Sequence, residues 1–122
     1  MNMKDVNQKT QIKFKQWLCD IKFGKYSNGR IAMILTNATV EDDGGFKYPP
    51  GSMQIAVATV NLPDVDLASD EVCIKNWSEN EGVLNILYDA GVIGPVLRLI
   101  KTGFVECPVV QLLINPEDYA KV

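Results

Sequence analysis

The chain has 122 residues, 47% of them hydrophobic and 22% charged, with a net charge of −3, three cysteines and no histidine. That length suggests one domain able to bury its own core, and that composition is wrong for a disordered chain. The missing histidine excludes Ser-His-Asp and Cys-His catalysis and removes the commonest general base and metal ligand. No apolar run approaches the roughly 18 residues of a membrane span. The segment Met1–Lys9 lacks the apolar core of a signal peptide. A cytoplasmic protein is expected, with residues 1–9 as a flexible arm and 10–122 as a single domain.

From Gln11 the residues alternate, with Ile12 and Phe14 opposing Lys13 and Lys15. The phase then slips, and Trp17, Cys19, Ile21 and Phe23 share one face. A slip of this kind predicts a bulge or a turn at Lys15–Gln16. Asn28-Gly29 predicts a two-residue type I′ turn into a strand over Arg30–Thr39. The Ile-Ala-Met-Ile-Leu run there is apolar on both faces, as in a central, covered strand. Residues 41–52, rich in glycine, proline and acid, read as a long loop. Met53–Val60 reads as a strand ended at Pro63. A polar connector over Asp64–Asp70 leads to a short strand at Glu71–Lys75.

Ser78-Glu79-Asn80-Glu81 fits a capping box, and Val83, Leu84, Leu87 and Ala90 follow at helical spacing. With Gly91 at the left-handed C′ position, a helix over about 79–90 is predicted. Gly94-Pro95 should turn the chain. Val96–Lys101 and Phe104–Leu113 read as strands joined at Thr102-Gly103, with Pro108 at a bulge or an edge. Asn115–Tyr119 closes the domain with a helical turn. The fold class is therefore α+β: a mainly antiparallel sheet of about six or seven strands with one capped helix packed on one face.

Few residues invite chemistry. Cys19, Cys73 and Cys107 are odd in number and lack CxxC spacing, so they read as free thiols packed like small hydrophobes. Glu41-Asp42-Asp43-Gly44-Gly45 lacks the spacing of a calcium loop. Asp64, Asp66, Asp70 and Glu71 could in principle pair as glycosidase carboxylates, but the chain is small for a sugar cleft. No catalytic residue, cofactor or metal site is assigned, and the chain is not expected to be an enzyme.

Charge is unevenly placed. Residues 1–30 hold seven basic and two acidic side chains, a net of +5; residues 31–122 hold five basic and thirteen acidic, a net of −8. Lys13, Lys15, Lys22 and Lys25 beside Trp17 could form a basic patch with a stacking ring for nucleic acid. They could equally be lysines guarding a solvated sheet edge. Phe46 and Tyr48, next to Pro49-Pro50, could form a partner-binding tip or fold back on the core.

Three stretches carry a resemblance: Ala58-Thr59-Val60-Asn61-Leu62-Pro63-Asp64, Ser78-Glu79-Asn80-Glu81-Gly82-Val83-Leu84 running into Ala90-Gly91-Val92-Ile93, and Thr102-Gly103-Phe104-Val105-Glu106-Cys107-Pro108-Val109. Over roughly residues 31–114 the chain resembles a family of small uncharacterised proteins encoded on plasmids, phages and conjugative elements of Gram-positive gut bacteria. The resemblance implies an accessory protein of a mobile element and assigns no site residue. The expected function is non-enzymatic binding of a protein partner, through an exposed sheet face or edge and the Asp42–Ser52 loop. The alternative is nucleic-acid binding through the basic N-terminal segment. Several edge strands also make a homodimer an open expectation.

Overall fold

The computed structural model describes residues 9–122, so the expected arm lies, but for Lys9, outside the described residues. The fold is α+β and mainly antiparallel, but ten strands in three sheets replace the single sheet of six or seven. The first sheet has the order β1 (Gln11–Phe14), β2 (Trp17–Lys25), β3 (Ile31–Asn37), β6 (Gln54–Val57). A short β10 (Ala120–Lys121) runs parallel to β2 at Lys22 and Phe23. β4 (Glu41–Asp43) and β5 (Phe46–Tyr48) form a hairpin of their own. The third sheet has β9 (Val105–Leu112) between β7 (Glu71–Cys73) and β8 (Ile93–Thr102).

Residues 58–60 join the first and third sheets. Ala58 N–H donates to Met33 O at 2.8 Å, Lys75 N–H to Ala58 O at 2.8 Å, and Val60 N–H to Cys73 O at 3.0 Å. One core follows from this, with Phe23, Met33 and Leu35 packed together with Ile74, Ile93 and Val110. The helix α1 (Val83–Asp89) adds Val83 and Leu87 to it and contacts both β1 and β8. β3 is covered on both faces, as its apolar run predicts. On its outer side Lys22 reaches across to Gly51 O at 2.8 Å. Gly24 leaves room for Val122, whose Cγ2 would lie 3.0 Å from a Cβ at that position.

Turn chemistry accounts for most departures. The slip at Lys15–Gln16 is a two-residue turn closed by Phe14 and Trp17, with Lys15 at φ 56°. Asn28-Gly29 does build a hairpin, but not a two-residue one. Tyr26 pairs with Arg30, Gly29 N–H donates to Tyr26 O at 2.8 Å, and only Gly29 has positive φ. This is a type I turn followed by a left-handed glycine, the three-residue solution. The positive pair of a type I′ turn occurs instead at Gly44 and Gly45, with φ 61° and 90°. The expected loop over 41–52 therefore contains a hairpin.

The helix begins later than the capping box predicts, because Gly82 sits at φ 94° just before Val83. Ser78–Asn80 is a 3-10 turn with no side-chain cap. The buried Asn80 donates to Val57 O at 2.7 Å and holds that turn against β6. Asn76 replaces Ser78 as the cap: its Oδ1 accepts from Gly82 N–H at 3.2 Å and Leu84 N–H at 3.0 Å. The C-terminus is as predicted. Gly91 N–H donates to Tyr88 O and Val92 N–H to Leu87 O, both at 3.0 Å, which is a Schellman motif.

Gly94-Pro95 does not turn the chain. Both residues lie inside β8, where the register against β9 shifts between Ile93 and Val96 and again before Arg98. The bulges lie in β8, and Pro108 sits unbulged in the central strand β9 opposite Leu99. Its carbonyl still accepts from Ile74 N–H at 3.0 Å. The helical turn near the end is a 3-10 turn at Pro116–Asp118.

Arg98 ties the two flanks of the third sheet together. It donates to both carboxylate oxygens of Glu71, at 2.9 and 3.1 Å, and to Asp66 O at 3.0 Å. These bonds, with one from Ala68 N–H, hold the Glu71 carboxyl down at about 2. A carboxylate so depressed stabilises the fold fully above its unfolded value of about 4.3, and that contribution is lost as pH falls towards 2. Urea midpoints should therefore fall between about pH 5 and 2, and Glu71→Gln should flatten part of that slope. An identical slope in the variant would remove the assignment.

Candidate functional site

The β4–β5 hairpin forms a two-stranded sheet apart from the other two. Its register pairs Asp43 with Phe46, Asp42 with Lys47 and Glu41 with Tyr48. Alternation then places Phe46 and Tyr48 on one face with Glu41 and Asp43, and Asp42 and Lys47 on the other. Phe46 does not fold back on the core. It is 76% exposed, while Tyr48 is half-buried at the hairpin's root. At the tip, Asp42 Oδ1 accepts from Gly45 N–H at 3.2 Å.

Asn37, at the end of β3, fixes the root and is fully buried. Its Nδ2 donates to Thr39 O at 2.8 Å, Pro49 O at 3.0 Å and Tyr48 O at 3.3 Å, while its Oδ1 accepts from Met53 N–H at 2.8 Å. Its backbone adds a bond from Gly51 N–H at 2.7 Å and one to Met53 O at 3.1 Å. One side chain thus satisfies carbonyls on both arms of the loop, and a rigid base carries an exposed aromatic. Sequence reasoning missed Asn37. The available signal was an amide closing an apolar strand just before a loop.

The lysines are placed apart. Lys13 is exposed on β1 opposite Leu18, one pair away from Phe14 and Trp17. Trp17 packs against the core. Lys15 Nζ donates to Glu79 O at 2.7 Å and lies 5.3 Å from the centre of the Phe14 ring. Lys22 is held by Gly51 O. Lys25 stands at the far end of β2, opposite Ile31. At about 3.4 Å per residue that end is on the order of 27 Å from Trp17. Alternation puts Lys13 on the outer face with Leu18 and Trp17 on the inner face with Phe14, and Lys25 lies far from both.

The three cysteines are free and buried, as their surroundings predict. Burial pushes the Cys19 thiol up to about 11. Cys73 and Cys107 lie in a satellite apolar cluster with Val109, lined by Leu62, Trp77 and Ile100. The neighbouring Cys73 thiol, with burial, holds Cys107 well above the usual thiol range, and Cys107 Sγ donates to Ile74 O at 3.5 Å. The neighbouring Cys107 draws Cys73 below the usual thiol range against the desolvation that opposes it. Cys73 is only 2% exposed, so a dissolved electrophile has no path to it.

Two carboxylates of the acidic group at 64–71 are engaged in structure, Glu71 with Arg98 and Asp70 with Gln111 Nε2 at 2.8 Å. A depression of about 600 Å³ lies between Gly24, Lys25, Ile31, Ser69, Glu117 and Lys121. Among the described residues no three of Cys, Asp and Glu cluster as metal ligands. None of the helices described is long and apolar enough to cross a membrane. No family model matches this chain, and neither a curated protein nor a solved structure matches it.

Proposed function

We propose that this chain is a non-enzymatic accessory protein that binds a protein partner through the β4–β5 hairpin. The observation that carries the reading is the exposed Phe46 on a base fixed by Asn37. Ordering a flexible tip costs free energy on binding, and a hairpin already held at its root avoids much of that cost. Aromatic rings are the residues that most often anchor interfaces. Glu41 and Asp43 flank Phe46 on its face, so a partner surface with an apolar pocket edged by basic side chains is the natural complement. The mobile-element setting is carried by the resemblance of the three segments quoted above. Nucleic-acid binding has less support, because Lys15 and Lys22 already bond carbonyl oxygens.

Replacing Phe46 and Tyr48 together by alanine should weaken partner capture by about tenfold or more. The melting temperature should stay close to that of the parent chain, since these rings add little to the core. An unaltered affinity would remove the hairpin from the reading.

A further inference from the structure

β8 is an edge strand: β9 takes one side, and among the described residues nothing pairs with the other. The first sheet's free edges are less exposed to pairing. β6 has four residues, and β1 has four with Gln11 and Lys13 facing outwards. β8 has ten, and it displays Val96, Leu97 and Leu99. Tyr88 of α1 is exposed nearby, and Phe104, in the turn after β8, has no cover at all. A long apolar edge is a template for another strand, and soluble proteins ordinarily shorten, charge or cover it.

We propose that a second copy of this chain covers it, with β8 pairing antiparallel to its own counterpart about a two-fold axis at Leu99. Area supports this. Tyr88, Val96, Leu97, Leu99 and Phe104 together expose on the order of 700 Å², close to the about 800 Å² per partner of a stable interface. Charge selects the register. With Leu99 on the axis, Arg98 faces Ile100 of the other copy and Lys101 faces Leu97. An axis at Arg98 would instead set two guanidinium groups face to face, which destabilises a strand pair. Reciprocity selects a second copy over an unrelated strand, because a two-fold interface must be self-complementary. The Leu99 register brings the turn that carries Phe104 to the bulged Gly94–Val96 end of β8 in the other copy. There a cavity of about 220 Å³ opens between α1 and β8, lined by Leu84, Tyr88, Pro95 and Val96. Each copy supplies the ring and the cavity that the other needs. Phe46 has no part in this surface, so the dimer stands or falls separately from the partner-binding reading.

The test is sedimentation of the full chain from low to high micromolar concentration, with the variants L99K, L99E and F104A. The parent chain should be a dimer. L99K and L99E should each be monomeric, because like charges meet on the axis, and an equal mixture of the two should recover the dimer. F104A should raise the dissociation constant by about tenfold or more. All three changes fall on exposed side chains, and unchanged near- and far-ultraviolet circular dichroism verifies the fold. A parent chain that stays monomeric throughout, an L99K chain that still dimerises, or a mixture that stays monomeric overturns the proposal. F104A with unchanged affinity overturns the seating of the ring.

Discussion

Phe23→Ala is expected to cost about 3–5 kcal/mol, the range for removing a large aromatic from a closed core. Phe23 is 1% exposed and meets Tyr119 edge-to-face, with ring centres 5.7 Å apart at 81°. Its backbone also carries the junction with the last strand, since Val122 N–H donates to Phe23 O at 2.9 Å. Losing the ring therefore leaves a cavity and removes the surface on which Tyr119 rests. For a domain of this size the melting temperature should fall by on the order of 15 °C. Chemical denaturation should show a lower midpoint with an unchanged slope. A loss below about 1 kcal/mol would mean that the site collapses around the gap, contrary to the packing described.

Asn37→Ala should cost about 2–4 kcal/mol through a different mechanism. The side chain has no apolar volume to lose; its removal takes a donor from the Thr39 and Tyr48 carbonyls and the acceptor from Met53 N–H, while Pro49 O keeps its bonds from Ser52. Each buried group so orphaned costs about 1–3 kcal/mol, less what water recovers. Asn37→Asp should be no better, since it would turn an oxygen towards those carbonyls. Amide exchange separates this variant from Phe23→Ala. Protection should fall over residues 38–53 and hold in β2 and β9, whereas loss of Phe23 should lower protection throughout. Uniform loss in the Asn37 variant would contradict its role as the local root of the hairpin.

The sequence made the apolar framework legible. Alternation in β1 and β2, the two-faced run of β3, the Schellman end at Gly91 and the hairpin at Gly103 all follow from local residue types. Long-range polar bonds were not legible. Ser78-x-x-Glu81 is a sound capping box, yet the buried Asn80 and Asn76 bond elsewhere and move the helix start beyond Gly82. Gly94-Pro95 reads as a turn because both residues weaken a strand, but a bulged edge strand accommodates them. Gly44-Gly45 was read by composition as loop, although two adjacent glycines suit a type I′ turn. Phe46 and Tyr48, read from the sequence as loop residues, stand on strand β5 of the β4–β5 hairpin. Their exposure could not be read there, because it depends on Asn37, whose partners span residues 39–53.

The measurement closest to the central claim is affinity capture from a host lysate after nuclease treatment, run in parallel with the parent chain and with the Phe46→Ala, Tyr48→Ala double variant. A specific protein held by the parent chain and lost by an equally stable variant is the predicted result. The same protein held equally by both, or a haul that disappears from both with nuclease, would contradict it.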